Sequence, residues 1–253
     1  MTTLYDPVVY DAATQGVPGD VEFFVRLAME AHAAGLPVLE LACGTGRVAI
    51  PIAREGAAIV GLDASPAMLG RAREKAAGLA NARWVDGDMR DFDLPERFGL
   101  VAIPFRSFQH LLTIEDQMAC LACIRRHLVP DGRLAINVFN PDIVRIAGWL
   151  TSRKGCLQLT REGGGGWKRW ETVEFATATQ GLAVTFIDEQ IDEGGVVQSR
   201  VYRGLKLRYT FRYEMEHLLA RAGYAVETLY GDFFGTPFVG TSPEMVWLAR
   251  VAP

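Results

Sequence analysis

The fold is decided by one stretch of the sequence, Pro37-Val38-Leu39-Glu40-Leu41-Ala42-Cys43-Gly44-Thr45-Gly46-Arg47. An apolar run predicts a buried strand, and Val48-Ala49-Ile50 predicts a helix directly after the two glycines. Glycine lets the backbone turn with a positive φ and lets a ligand approach where a side chain would block it. The stretch also satisfies the dinucleotide pattern G-x-G-x-x-G/A, so alone it does not decide which nucleoside-containing ligand the turn binds.

The composition bounds the class of protein. The 253 residues are 49% hydrophobic and 22% charged, enough for one large α/β domain or for one domain with an elaboration. The net charge of −4 argues against a general affinity for nucleic acid, which depends on neutralising phosphates. No apolar run reaches the roughly 20 residues of a membrane span, and the first residues do not resemble a signal peptide. We therefore expect a cytoplasmic protein with no membrane or nucleic-acid partner.

Alternating strands and helices predict a parallel sheet that is covered on both faces. Ser65-Pro66 is a typical helix start, with serine as the N-cap and proline in the first turn. Another helix is expected to begin at Thr113 and to be stopped by Pro130-Asp131-Gly132. The predicted strands are 38–41, 57–63, 100–103 and 134–139, residues 82–88 are predicted to form a strand that leads into a turn, and a helix over 21–34 precedes the first strand.

The pattern changes after residue 145. Four glycines, Gly163 to Gly166, precede a stretch with period-two alternation from Trp167 to Phe211. Glu193-Gly194-Gly195 predicts a hairpin turn within it. We expect residues 146–211 to form an antiparallel β insertion, which is either a substrate lid or an oligomer surface. Residues 1–145 and 212–253 then form the core, closed by a helix over 212–222 and strands over 225–230 and 245–251.

Three acids lie at or near the ends of successive predicted strand segments: Glu40, Asp63 and Asp88. Ligands of open α/β sheets bind at the carboxyl edge of the strands, where these acids would meet. Asp63 lies about twenty residues past the glycines, the spacing at which a carboxylate accepts hydrogen bonds from a ribose diol. An NAD enzyme explains Asp63 but not Glu40, whose charge would repel a pyrophosphate. A ligand that carries an ammonium and a sulfonium tolerates Glu40, and Asp88-Met89 suits an adenine edge.

Four motifs in this order resemble those of class I S-adenosylmethionine-dependent methyltransferases. They are Val38–Gly46, Gly61–Leu69, Asp86–Met89 and Leu128–Leu134. The resemblance implies a Rossmann-like, doubly wound α/β fold with seven strands, the last of them antiparallel. It implies S-adenosylmethionine as cofactor, with Ala42 where the family often has a glycine. The cofactor-binding residues expected from it are Tyr10, Glu40, Ala42, Gly44, Gly46, Asp63, Ala64, Met68, Asp88, Met89 and Phe105.

The family places its acceptor chemistry after the fourth strand, here Ile103 to Leu111. Signatures for adenine or glutamine nitrogen and for cytosine carbon are absent from this stretch. His110 resembles a histidine of natural-product amino-sugar N-methyltransferases, which makes it the candidate catalytic base; a helix N-terminal or core histidine is the alternative. Arg106 and Gln109 are the candidate substrate-binding residues. Arg106 and Phe108 replace the small residues of those enzymes, so the same acceptor is not implied.

The remaining candidates have structural explanations. Cys120 and Cys123 share one face of a predicted helix, which favours buried packing over metal binding. Asn140-Pro141-Asp142 lacks the matching acid of a divalent-metal site, and no metal is expected. The predicted activity is methyl transfer from S-adenosylmethionine to a nitrogen or oxygen of a small molecule, in a possible homodimer. A dinucleotide-dependent oxidoreductase and a non-catalytic S-adenosylmethionine-binding partner protein are the alternatives.

Overall fold

The computed structural model describes residues 6–14, 16–151, 156–160 and 165–252. Its helices are α1 (Pro7–Ala13), α2 (Asp20–Ala33), α3 (Ala49–Arg54), α4 (Pro66–Lys75), α5 (Ile114–His127), α6 (Ile143–Thr151) and α7 (Arg212–Arg221). Its strands are β1 (Val38–Leu41), β2 (Ile59–Asp63), β3 (Ala82–Asp86), β4 (Phe98–Ile103), β5 (Leu128–Phe139), β6 (Cys156–Thr160), β7 (Gly166–Ala176), β8 (Gly181–Ile191), β9 (Val197–Arg208), β10 (Tyr224–Tyr230) and β11 (Glu244–Val251). Short 3₁₀ helices cover Ser107–His110 and Thr177–Thr179.

The chain divides into two compact units, of which the larger contains Gly16–Asn140 and Thr210–Pro253. Its sheet has seven strands in the order β10-β11-β5-β4-β1-β2-β3. Strands β1 to β5 pair in parallel, whereas β11 is antiparallel to both of its neighbours, β10 and β5. The seven-stranded α/β fold with an antiparallel last strand, predicted from the resemblance, is confirmed.

Apolar side chains cover both faces of this sheet. One buried cluster includes Phe98, Phe108 and Trp247, and the other includes Phe23 and Phe24 of α2. The predicted caps form where expected: Ser65 Oγ accepts a hydrogen bond from the Met68 amide at 3.4 Å, and Thr113 Oγ1 accepts one from the Asp116 amide at 3.1 Å. These contacts hold the first turns of α4 and α5.

Strand β5 begins earlier than predicted. It starts at Leu128 rather than at residue 134, and it includes the Pro130-Asp131-Gly132 segment expected only to stop the preceding helix. Phe98 pairs with Leu128, but Leu100 pairs with Arg133, so the register shifts and β5 carries extra residues there. The turn residues therefore lie in an irregularity of the strand.

The smaller unit contains Met1–Gln15 and Pro141–Tyr209. Its four-stranded antiparallel sheet has the order β6-β7-β8-β9, as the period-two pattern predicted. Asp192 Oδ1 accepts hydrogen bonds from the amides of Gly194 and Val196, both at 2.9 Å, at the predicted hairpin turn. Helix α1 belongs to this unit, which differs from the division at residues 145 and 212 drawn from the sequence. Gly163 and Gly164 lie outside the described residues. Among the described helices, none has the length and apolar character needed to cross a membrane.

Candidate functional site

The glycine turn follows β1 at the carboxyl edge of the parallel strands. Ala42, Gly44 and Gly46 all have a positive φ, of 54°, 57° and 79°. A Cβ at Gly46 would lie 2.8 Å from Ile50 Cδ1 and 2.9 Å from the Trp84 ring, so only glycine fits there. Ala42 adopts the left-handed region with a side chain, at a cost of about 1–2 kcal/mol. Ala42 therefore adopts the backbone conformation that favours glycine, although alanine stands where the family often has a glycine.

Asp63 joins this turn to the end of β2. Its Oδ2 accepts a hydrogen bond from the Gly44 amide at 2.7 Å, and its Oδ1 accepts one from the Ser65 amide at 2.8 Å. Burial raises the pKa of Asp63 above its ordinary value, although the two amides oppose this shift. Each carboxylate oxygen has a second lone pair, so the side chain can also accept from ribose hydroxyls. The ribose role stays a prediction.

Glu40 is a buried acid beside the turn, with 3% of its surface exposed. Among the described residues, its Oε2 has no hydrogen-bond partner. Burial raises the pKa of Glu40 to about 8, against the opposing effect of Arg47. An ammonium group would satisfy the orphaned oxygen and favour the ionised form, so this position fits a cationic nucleoside ligand. A protonated Glu40 would repel a pyrophosphate less than an ionised one, which weakens the argument against NAD made from the sequence.

Arg47 connects the glycine turn with the loop after β4. Its Nη1 and Nη2 donate hydrogen bonds to the two carboxylate oxygens of Asp20 at 2.9 and 2.7 Å. Its guanidinium carbon lies 4.8 Å from the centre of the Phe105 ring, within the range of a cation–π contact. Neither Asp20 nor Arg47 was predicted from the sequence as a site residue. An arginine directly after the two glycines was the available signal.

Asp88 is already engaged by a neighbour. Its Oδ1 accepts a hydrogen bond from the Arg90 amide at 2.9 Å, and the Arg90 guanidinium pairs with both Asp88 and Asp116. Arg90 holds the pKa of Asp88 below its ordinary value. An adenine amino group would have to share the carboxylate with this guanidinium, and the predicted adenine contact stays a prediction.

The other predicted cofactor residues lie in different surroundings. Met68 is buried, and its Cε lies 3.3 Å from the place that a Cβ on Gly44 would occupy. Met89 is half-buried against the core, and Ala64 is exposed. Tyr10 lies in α1, in the smaller unit. Its contact with the cofactor stays a prediction.

The loop after β4 contains two successive residues with a positive φ, Phe105 at 53° and Arg106 at 65°. The Arg106 amide donates to Asn137 Oδ1 at 3.1 Å, and the Arg106 guanidinium donates to both carboxylate oxygens of Glu244, from Nε at 3.2 Å and from Nη2. Asn137 Nδ2 also donates to Glu244, at 2.9 Å. Arg106 was predicted to bind substrate, whereas here its charged group is paired with a buried glutamate.

Gln109 and His110 end this loop in a 3₁₀ helix. Gln109 is fully buried, and its Oε1 accepts a hydrogen bond from the Phe139 amide at 3.2 Å. His110 is exposed, so it is not a core histidine. The protein around the ring still desolvates it and lowers the pKa of His110 below its ordinary value. The imidazole is therefore neutral near pH 7 and can accept a proton. The substrate and catalytic roles of this pair stay predictions.

Cys120 and Cys123 are fully buried, as the packing explanation predicted. Cys123 Sγ donates to the Phe92 carbonyl oxygen at 3.1 Å, and burial raises the pKa of its thiol. Asn140 Nδ2 donates to the carbonyl oxygens of Gly240 and Ser242. Within the described ranges, no group of three or more His, Cys, Asp or Glu side chains could hold a metal ion.

Known proteins resemble this chain in sequence. A family model described as a methyltransferase domain matches residues 38–132. The cypemycin N-terminal methyltransferase of Streptomyces sp is 32% identical over 212 residues, covering 84% of this chain and 82% of that enzyme. The dTDP-3-amino-3,4,6-trideoxy-alpha-D-glucopyranose N,N-dimethyltransferase of Streptomyces venezuelae is 33% identical over 115 residues, 46% of this chain and about half (47%) of that enzyme.

A solved structure resembles the whole chain. The CcbJ methyltransferase from Streptomyces caelestis superposes with a TM-score of 0.81 at 27% identity, covering 98% of this chain and 100% of that one. The likeness thus extends beyond the glycine turn to both units of the chain.

Proposed function

The chain belongs to the S-adenosylmethionine-dependent methyltransferases of class I, and from this premise we propose that it methylates a nitrogen of a small-molecule amine. The observation that carries the proposal is a neutral, exposed His110 in the loop that follows β4, at the same sheet edge as the glycine turn. Related methyltransferases whose names specify an N-terminus or a sugar N,N-dimethyl product support nitrogen as the acceptor. Neither the oxidoreductase nor the non-catalytic alternative has comparable support.

S-adenosylmethionine supplies a methyl group on a positively charged sulfur. The glycine turn and Asp63 bind the nucleoside part in this proposal, and Glu40 accepts a hydrogen bond from the ammonium. These contacts orient the donor, and correct alignment of the two reactants can supply ~7–11 kcal/mol of the barrier.

The acceptor must present a lone pair, so its nitrogen has to be neutral when transfer occurs. His110 takes the proton that the amine loses, which keeps the lone pair available. The lowered pKa of His110 suits this role because the ring is in its basic form near neutral pH.

The test is product formation with trideuteromethyl-labelled S-adenosylmethionine and a panel of amino sugars, amino acids, short peptides and phenols. Mass spectrometry should find the labelled methyl group on nitrogen, with Asp63→Ala as the weakened-binding control. Labelling of phenol oxygens alone, or of no compound by a protein that binds the donor, would overturn the proposal. A cytoplasmic location, a homodimer and the absence of a nucleic-acid partner stay predictions.

A further inference from the structure

The loop that carries His110 has an unusual backbone. Phe105 and Arg106 both have a positive φ, a region that residues with a side chain rarely adopt, and they follow each other directly. Such a conformation persists only where the surroundings hold it in place. The question is which groups hold these two residues.

Arg106 is held by two buried polar side chains. Asn137 Oδ1 accepts from the Arg106 amide at 3.1 Å, and Glu244 accepts twice from the guanidinium. Asn137 and Glu244 are 0% and 1% exposed, and a hydrogen bond of 2.9 Å joins them. The backbone and the side chain of Arg106 are therefore attached to one network.

Glu244 attaches this network to the central sheet. It is the first residue of β11, where it pairs with Phe139 of the neighbouring strand β5. Asn137 lies on β5 as well, so both partners of Arg106 project from paired strands in the interior of the sheet. The neighbouring residue Phe105 contacts the Arg47 guanidinium through its ring.

We propose that Glu244 is a positioning residue for methyl transfer: through Arg106 and Asn137 it fixes the turn that places His110. This inference rests on the proposed function, since it assigns His110 a place near the acceptor. Glu244 itself need not touch either reactant, and it acts at a separation of 138 residues from Arg106.

Kinetics of Glu244→Gln and Glu244→Ala test this role. Misplacing a reacting group by about 1 Å can cost ~10²-fold in rate, so we expect kcat with an amine that the labelling screen finds to be methylated to fall about 10- to 100-fold. The dissociation constant for S-adenosylmethionine should stay at the wild-type value. Glu227→Gln is the matched control, because Glu227 of β10 also pairs with two arginines, Arg250 of β11 and Arg133 of β5.

A double variant separates positioning from substrate binding. Glycine adopts a positive φ without a side-chain penalty, so Arg106→Gly should restore part of the kcat lost in Glu244→Gln. If Arg106 and Glu244 instead bound the acceptor directly, the double variant would show a further rise in KM and no recovery of kcat. That result would overturn the inference.

Amide hydrogen exchange gives a readout that needs no acceptor. In Glu244→Gln and Glu244→Ala, exchange over residues 104–111 should become faster, while exchange over residues 38–63 stays as in the wild type. Unchanged exchange over 104–111 in Glu244→Ala would overturn the anchoring of the loop. If the wild-type protein methylates no amine but the exchange result holds, the proposed function fails and the anchoring stands.

Discussion

Replacing Glu40 by glutamine should change how the stability of the protein depends on pH. Glu40 is buried next to the glycine turn, and burial raises its pKa to about 8 from an ordinary value of 4.5. Glutamine has nearly the same shape but does not titrate. The comparison of wild type with Glu40→Gln therefore isolates the protonation of this one side chain.

The sign follows from which state holds the proton. Between the two pKa values the unfolded chain has lost the Glu40 proton while the folded protein keeps it, so rising pH favours unfolding. The wild-type free energy of unfolding falls by about 1.4 kcal/mol per pH unit in this window. Summed from about pH 5 to about pH 8 with the pKa values above, the loss relative to Glu40→Gln is on the order of 3–4 kcal/mol.

Urea denaturation of both proteins at several pH values measures this difference. A constant offset from the buried amide of glutamine does not matter, because only the change with pH is compared. Titration calorimetry in two buffers of different ionisation enthalpy adds a second readout. Binding of S-adenosylmethionine near pH 7 should release about one proton from the wild type and none from the variant, since an ammonium favours ionised Glu40.

Two results would refute this reasoning. Denaturation curves that shift in parallel for both proteins across the pH range would mean that Glu40 has similar pKa values folded and unfolded. Proton release of equal size from both proteins would mean that the ammonium does not act on Glu40.

Three further predictions concern the same edge of the sheet. Asp63→Ala should lose about 1.5–3 kcal/mol of S-adenosylmethionine binding in calorimetry, because a charged acceptor of ribose hydrogen bonds is removed; unchanged affinity would misplace the site. His110→Ala should lower kcat by ~10²–10⁴-fold and remove the acid limb of the pH–rate profile, which lies below the ordinary histidine pKa of 6.5 because desolvation by the surrounding protein lowers the pKa of His110. A loss of only a few-fold with the limb retained would assign that limb to the substrate. Ala42→Gly should raise the free energy of unfolding by about 0.5–1 kcal/mol, since relief of the positive φ exceeds the entropy that glycine adds to the unfolded chain; a lower stability in urea would show that Ala42 is not strained.

The sheet could be predicted because its signals are local. Apolar runs, capping residues such as Ser65 and the glycine turn each act within a few residues, and they appear in the structure where expected. Strand β5 begins at Leu128 and not at the predicted residue 134, because pairing with β4 extends the strand across Pro130-Asp131-Gly132. The sequence division placed residues 1–145 in the core, whereas helix α1 groups with the smaller unit, because the sequence of α1 carries no signal of the unit to which it belongs.

The site was predictable only in part, because several of its contacts join residues that are far apart in the sequence. Glu40 lies near the end of β1 and Asp63 is the last residue of β2, so topology brings them to one edge. The partners that fix the site come from elsewhere in the chain: Asp20 is 27 residues from Arg47, and Glu244 is 138 residues from Arg106. Contacts over such separations depend on strand order, which the sequence pattern does not encode residue by residue. The substrate-binding prediction for Arg106 and Gln109 was made without knowledge of these partners, and it stays a prediction.

The place of β11 in the sheet has a consequence for synthesis of the protein. Strand β11 lies between β10 and β5, although it follows every other strand in the chain. On the ribosome, β5 emerges first and keeps an open edge while residues 141–209 of the smaller unit and β10 are still being made. An open strand edge is a template for pairing with other chains, and closure over such a separation is slow. The nascent chain therefore depends on the completion of residues 244–251 for two reasons: they cover the open edge of β5, and they include Glu244. Protection from aggregation and anchoring of the loop that carries His110 are then gained in the same step.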